Sequence, residues 1–367
     1  MITGFTASDF GTLGVEYEST VIDQVTSRPL PLAVLISENA QPLHPRGRIT
    51  PDLSLPTLEF TSGICTSIDQ VRSDLLSAYR AVRPILDEHQ AELLGMGLSP
   101  SAHSDEFPPV PQARYQEIYA SLAWSAEQIT TNGIHAHIGM PSLNVALSTS
   151  RVLRSLLPLL LALSASSPFR HDKFTGLAST RMALWSAIPR SGPMPHFTDE
   201  AEYLSYFMAL RTAEAVRQQG DLRWDCRPNS TLGTLEIRII ETVANLDDVM
   251  ALVALAWCMA VGVEHLEEFV LPHTLSDENR WRAIRYGSNA SMIIDTSGNT
   301  ASLAHYAERV VQALGSTADL LGCAPEIERC IELGWGRAAH QKLTENSGSL
   351  PQDSLARAAE TFMRVHW

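Results

Sequence analysis

The chain has 367 residues, 45% apolar and 19% charged, with a formal net charge of −14. This composition fits a globular protein with a large buried core and argues against disorder; the acidic balance repels nucleic acid and anionic lipid at long range, so an anionic substrate has to be met by local cations. The five cysteines (Cys65, Cys226, Cys258, Cys323 and Cys330) are odd in number and form no CxxC pair, which argues against a secreted disulfide framework and fits free thiols in a reducing cytoplasm.

Met1 to Phe10 has neither the basic region nor the apolar core of a signal peptide. Leu13 to Val25 alternates like a strand. Pro29, Pro31, Pro42, Pro45 and Pro51 make the next stretch loop-like, and Thr57 to Thr61 reads as a strand. Ser67 followed by Gln70 is a capping-box signature. It opens a helix with apolar Ile68, Val71, Leu75, Leu76, Tyr79 and Val82, which Pro84 is expected to kink or end. Ser99 to Gln112 reads as loop, Tyr115 to Gln128 as helix and Ile134 to Gly139 as a short strand. Val145 to Ala165 reads as one long apolar helix with Pro158 inside, and Ser167 to Pro195 as a long irregular loop of the kind that carries function. Glu200 to Gln219 is predicted helical, Thr234 to Thr242 is the clearest strand, and a helix follows from Asp247 to Glu268. Glu278 to Ala290, Thr300 to Leu321 and Pro351 to Trp367 complete the helices. The longest apolar run, Val249 to Val263, falls short of the ~18–20 residues of a membrane span. It is expected to be a buried helix, and the protein cytoplasmic with no membrane partner. No boundary splits the chain, which predicts one domain over residues 1–367. Strands and helices mix without βα alternation, which points to an α+β fold.

Strand alternation gives the main functional signal. Glu16 and Glu18 share one face of their strand, with Leu13, Val15 and Tyr17 on the other. Glu59 opposes Leu58 and Phe60. His135 and His137 oppose Ile134, Ala136 and Ile138. Glu236 and Arg238 oppose Leu235, Ile237 and Ile239. Any one of these segments alone reads as an ordinary solvated strand face. Together they predict a single antiparallel-rich sheet with helices packed on its apolar side and the acids and imidazole gathered on the other. Two unit charges ~4 Å apart cost about 4 kcal/mol at an effective dielectric of ~20, a penalty that divalent cations remove. Oxygen and imidazole donors without a thiol suit magnesium or manganese better than zinc.

At these residues the sequence resembles the carboxylate–amine ligases of the bacterial glutamate–cysteine ligase type 2 family. The matching stretches are Gly14 to Glu18 (GVEYE), Thr57 to Cys65 (TLEFTSGIC), Gly133 to Gly139 (GIHAHIG), Leu159 to Pro168 (LLLALSASSP), Trp224 to Pro228 (WDCRP), Gly233 to Arg238 (GTLEIR) and Asn279 to Ala283 (NRWRA) with Arg285-Tyr286-Gly287. They occur in the family's order. The resemblance implies a glutamine-synthetase-like catalytic fold and an ATP- and magnesium-dependent ligase acting on a small-molecule carboxylate and an amine, with glutamate and cysteine the default pair. It implies that Glu16, His135 and Glu236 hold one magnesium and Glu18 and Glu59 a second. Asp52 is implied either as a further carboxylate ligand or as a turn residue after Pro51. Arg238 would lie against the transferring phosphoryl group, with Glu59 and Glu236 beside it as catalytic residues. Arg227, Arg282 and Arg285 are candidates for phosphate or carboxylate, which guanidinium groups meet in bidentate fashion; the alternative for each is a structural ion pair.

Three positions depart from the family pattern. Tyr17 stands where Glu is usual, on the apolar back. Glu241 stands where Asp is usual, at a strand end. Phe174 stands where an Asp precedes Thr-Gly, in a loop expected to help form the acceptor pocket, so this departure bears on the substrate. Cys65 and Cys226 are expected to be small buried hydrophobes. The implied reaction forms an acyl phosphate from ATP and the acid, which the amine then attacks; no protein nucleophile and no GxxxxGK[ST] loop is needed or present. A metal-dependent amide hydrolase and a non-catalytic nucleotide-binding homologue remain as alternatives. The oligomeric state is open and compatible with a homo-oligomer.

Overall fold

A computed structural model of the chain describes residues 4–40, 46–337 and 352–367. The loop expected at Pro42 and Pro45, and Pro351 at the head of the last helix, lie outside the described residues. The main sheet has seven strands, here β1 (Leu13–Asp23), β2 (Arg48–Pro51), β3 (Thr57–Thr61), β4 (Ala91–Leu94), β5 (Gly133–Gly139), β6 (Cys226–Asn229) and β7 (Thr234–Glu241). Their order is β6-β7-β5-β1-β3-β2, with β4 pairing further along β1, and every pairing is antiparallel. Gly233 closes the β6–β7 hairpin at φ +67, where an added Cβ would also meet the Thr6 carbonyl oxygen at 1.9 Å.

Among the described residues fourteen α-helices accompany it: α1 (Ala33–Asn39), α2 (Ile68–Glu88), α3 (Ala113–Leu122), α4 (Trp124–Glu127), α5 (Leu143–Leu153), α6 (Leu157–Ser164), α7 (Thr180–Trp185), α8 (Glu200–Thr212), α9 (Leu246–Val261), α10 (His273–Tyr286), α11 (Leu303–Ala313), α12 (Gly315–Leu321), α13 (Ala324–Glu332) and α14 (Gln352–Phe362). The apolar back of the sheet, with Leu13, Val15, Tyr17, Leu58, Phe60, Ile134, Ala136, Ile138, Leu235 and Ile237, is buried in one core with α2, α6 and α9. α9, the predicted apolar run, is buried along nearly its whole length. All five cysteines are free and buried.

Several predicted elements change at their ends. Ser67 caps α2 by accepting the Gln70 N–H (3.3 Å), while the Gln70 carbonyl reaches the Thr66 N–H (2.9 Å) rather than that of Ser67. α2 runs on through Pro84 to Glu88. Pro84 and Arg80 both sit on the exposed face, so the Arg80 carbonyl, which loses its helical partner to the proline, faces solvent. The predicted helix over 145–165 is two helices, α5 and α6, bent by 63°. Pro158 lies in the first turn of α6, where a missing N–H costs nothing. The helix over 115–128 breaks at Ala123, and the loop over 167–195 contains α7. No single helix among the described residues is long and apolar enough to cross a membrane.

Two features position the front of the sheet. Behind β1, Tyr17 packs edge-on to Trp367 (4.7 Å between ring centroids) and near Phe60, with Tyr79 on the far side of Trp367. The Tyr17 hydroxyl donates to the Val243 carbonyl (3.1 Å) and Trp367 Nε1 to that of Ala244 (2.8 Å), which ties β1 to the segment leaving β7. In β7 the register against β5 slips by one residue between Ile237 and Ile240. This bulge reverses the alternation, so Ile240 joins the apolar back and Glu241 turns toward the side of β5 that carries His135.

Candidate active site

Directly paired residues on neighbouring antiparallel strands point the same way, so the register states which side chains meet. Glu16 pairs with Thr61 and His135, Glu18 with Glu59, and Glu236 with both His137 and Arg227. These residues apart from Thr61, with Asp52 and Arg238, line a cleft of about 790 Å³, a size suited to small molecules. Glu16, Glu18, Asp52, Glu59, His135, Glu236, Arg227 and Arg238 are thus brought together from five strands and the β2–β3 connection.

One group of donors is Glu16, His137 and Glu236, each offering an atom within 4.8 Å of the others. His137 Nδ1 bonds with Thr234 Oγ1 (3.0 Å), which leaves Nε2 facing Glu16 Oε1 at 3.2 Å. That buried Nε2 has no hydrogen bond among the described residues. An orphaned imidazole nitrogen facing carboxylates is a donor set that fits a divalent cation. The sequence reading put His135 in this place; it lines the same cleft in a different setting. His135 Nδ1 bonds with Glu16 Oε2 (2.7 Å) and its Nε2 lies 3.7 Å from Glu18 Oε1, so it stands between the two acids of β1. The cause is register: His137, not His135, is the residue of β5 opposite Glu236. Burial would raise Glu16, but the imidazoles of His137 and His135 outweigh it and hold the carboxyl below its usual range. Burial, reinforced by Arg238, drives His135 down to about 4. In His137 burial is overcome by Glu16 and Glu236, which raise it.

The second group is Glu18, Asp52 and Glu59. Glu18 accepts the Gly133 N–H (2.6 Å), Glu59 accepts the hydroxyls of Thr50 and Thr61 (3.2 and 3.3 Å), and Asp52 accepts the Tyr115 hydroxyl (3.4 Å). These bonds do not offset the crowding. Burial and Asp52 push Glu18 up to about 8. Burial and the charges of Glu16, Asp52 and Glu18 raise Glu59 well above the usual carboxylate range. Asp52 is raised as well, chiefly by burial.

Arginines balance the far side. Arg227 forks onto Glu236, Nε to Oε2 at 2.9 Å and Nη2 to Oε1 at 3.0 Å, and Arg238 donates to the same carboxylate. Burial would raise Glu236, but these two cations hold it well below its usual range. Arg114, Arg181, Arg211, Arg217 and Arg223 also line the cleft and escaped the sequence reading. Arg181, on α7, donates to the carbonyls of Arg238 (3.2 Å) and Ile239 (3.4 Å). Gly133 makes room for it, since a Cβ there would lie 2.3 Å from Arg181 Nη2. Arg223 has only 9% of its side chain exposed and lies 3.9 Å from Asp221. Burial, helped by Arg190, Arg238 and Arg227, outweighs Asp221 and lowers it to about 10.

α7 is fixed by Glu241. Its carboxylate accepts the Ser166 N–H (2.6 Å), the Ser166 and Ser167 hydroxyls (3.2 and 2.8 Å) and the Ser179 hydroxyl. The LLLALSASSP stretch therefore supplies the serines that anchor the loop bearing Arg181.

Three expected contributors lie elsewhere. Arg282 donates to Glu278 (2.9 Å) and to the Ser291 carbonyl (2.7 Å), and Arg285 donates to the Gly176 carbonyl and lies 5.0 Å over the Tyr286 ring. Neither lines the cleft. α10 turns Asn279, Arg280 and Ala283 inward, and it is Arg280 that forks onto buried Asp225 (2.6 and 3.2 Å). Phe174 is also outside the cleft lining; it is 40% exposed and packs edge-on to Phe169. The altered loop thus does not put this side chain in the pocket, contrary to expectation.

The sequence profile of glutamate-cysteine ligase family 2 matches residues 12–362. A protein of Arthrobacter sp. (strain FB24), provisionally named glutamate–cysteine ligase 2-1, is 31% identical over 359 residues, covering 94% of each chain. One of Mycobacterium tuberculosis (strain ATCC 25177 / H37Ra), provisionally named glutamate–cysteine ligase 2, is 31% identical over 347 residues, 92% of this chain and 90% of that one. Among solved structures, the glutamate–cysteine ligase (gshA) of Francisella tularensis in complex with AMP superposes with a TM-score of 0.64 over 99% of this chain and 91% of its own at 12% identity. The ligase PafA in complex with the prokaryotic ubiquitin-like protein Pup superposes with a TM-score of 0.51 over 97% and 73% at 11% identity. The fold is the α+β, glutamine-synthetase-like one, and the chain belongs to glutamate–cysteine ligase family 2.

Proposed function

We propose that this member of the family is an ATP-dependent carboxylate–amine ligase that makes an amide through an acyl phosphate, with residues 1–367 acting as one catalytic domain and glutamate and cysteine the first substrate pair to test. The observation that carries the reading is the convergence of Glu16, His137 and Glu236 with Arg227 and Arg238 in one cleft, in a chain of this family. Magnesium, or manganese, would be held by Glu16, His137 and Glu236, and a second ion by Glu18 and Glu59, where it supplies positive charge against the phosphates of ATP. A carboxylate oxygen of the acid attacks the γ-phosphorus and ADP leaves. Arg238, with Arg227 beside it, stabilises charge on the phosphoryl group in transit. The amine nitrogen then attacks the acyl carbon and phosphate departs. We assign Asp52, which lines the cleft and accepts the Tyr115 hydroxyl (3.4 Å), to take the proton that nitrogen loses.

The test is ADP release with magnesium over a panel of acids and amines, comparing native protein with Glu236→Gln. The expected result is ADP formation that requires both substrates and falls by at least about 10²-fold in the variant. ADP release indifferent to the amine or to the mutation would defeat the ligase reading, and amide cleavage without ATP would favour a hydrolase.

A further inference from the structure

Four apolar side chains line the acidic end of the cleft: Leu53, Ile118, Ile129 and Trp185. Their places are fixed relative to the acids. Leu53 follows Asp52. Ile118 lies one helical turn beyond Tyr115, whose hydroxyl bonds Asp52 (3.4 Å). Trp185 Nε1 donates to Thr131 Oγ1 (3.0 Å), and Thr131 is two residues from Gly133, whose N–H holds Glu18 (2.6 Å). Ile129 is buried in a small cluster with Leu122, Ala126 and Ile188, on which Leu53, Ile118 and Trp185 pack while staying half-exposed. With its only polar atom engaged by Thr131, Trp185 offers nothing but apolar ring to the cleft.

The other lining groups are of another character: Arg211, Arg217, Gln218, Gln219, Arg223 and Arg227. Negatively charged groups are attracted to these arginines, whereas an ammonium is attracted to Asp52, the acid next to Leu53 that lies outside the two ion sites proposed above. Half-exposed Leu, Ile and Trp on a concave wall are wetted at a cost that the hydrocarbon of a ligand removes. Acidic groups beside such a wall match a molecule with an amine at one point and an apolar body next to it.

Resting on the ligase reading above, we propose that the amine substrate is a primary amine bearing a branched or aromatic hydrocarbon side chain. Its nitrogen lies toward Asp52, and its side chain lies on Leu53, Ile118, Ile129 and Trp185.

Hydroxylamine, which needs no side-chain pocket, serves as the reference amine, and the acid used is whichever in the panel yields hydroxamate and ADP. With that acid, leucinamide and phenylalaninamide are compared with glycinamide, alaninamide and cysteinamide. The expected kcat/KM for the two large amides is at least about 10-fold above that for glycinamide, and this ratio falls about 10-fold in Trp185→Ala and in Ile118→Ser. Because the ratio is taken within each variant, loss of folded protein cancels. Hydroxamate formation with a flat profile, or one led by a small amide, overturns the specificity and leaves the ligase reading standing. Absence of hydroxamate and ADP with every acid overturns both.

Discussion

Glu241 and Glu59 are both acids carried on strands of one sheet and lowered into the protein, yet their surroundings are opposite. Burial raises both. Around Glu241 the chain answers: Arg181, three serine hydroxyls and an amide all favour the charged carboxylate. Around Glu59 the charged neighbours Glu16, Asp52 and Glu18 all add to the penalty, and two threonine hydroxyls are the relief. A buried acid that the protein satisfies is architecture. A group of acids left crowded beside an open cleft is the arrangement on which the proposed second cation site rests.

The contrast makes stability predictions of opposite sign. Glu241→Ala leaves the Ser166 N–H and the Ser166, Ser167 and Ser179 hydroxyls without their acceptor and buried Arg181 without the charge that offsets its own, and is expected to destabilise the protein by about 3–5 kcal/mol, read as a shifted urea midpoint. Glu59→Gln keeps an oxygen for Thr50 and Thr61 and removes the crowding. It is expected to stabilise the metal-free protein by about 1 kcal/mol at pH 8 while weakening magnesium binding in calorimetric titration. If both substitutions destabilise alike, the distinction between the two regions fails.

The smallest effect is on pH dependence. Glu18 titrates from an ordinary 4.5 in the unfolded chain to about 8 in the folded one. Below 4.5 it is protonated in both states and costs nothing. As pH rises from 4.5 through about 8, the unfolded chain releases this proton and the folded one retains it, so stability falls across that window. In EDTA the melting temperature of the native protein, taken relative to that of Glu18→Gln so that the other titrations cancel, should drop between pH 5 and pH 8, and added magnesium should protect more at pH 8. A difference that rises over this interval would contradict the crowding at Glu18.

The sequence made the front of the sheet legible because alternation is a local property: Glu16, Glu18, Glu59 and Glu236 could each be assigned a face without knowing their partners. What needed partners was missed. That His137 rather than His135 stands opposite Glu236 depends on the β5–β7 register, and the facing of Glu241 depends on a bulge that periodicity cannot reveal. Arg181 was hidden in a stretch read as loop, and only the gap left by Gly133 shows where it points. Arg282 and Arg285 could have been corrected earlier. Ser276, Asn279, Arg280 and Ala283 recur at helical spacing and mark the inward side of α10, which leaves those two arginines facing away.

Tyr17 has a consequence for the chemistry on the opposite face. It separates Glu16 from Glu18 in the strand, and its hydroxyl and its Trp367 neighbour both fasten to the carbonyls just beyond β7, the strand of Glu236. The gap across which Glu16 and Glu236 would share an ion under the proposed reading is therefore set partly from behind, by aromatic rings outside the cleft lining. On that reading a change among those rings should alter ion affinity with every cleft residue left in place.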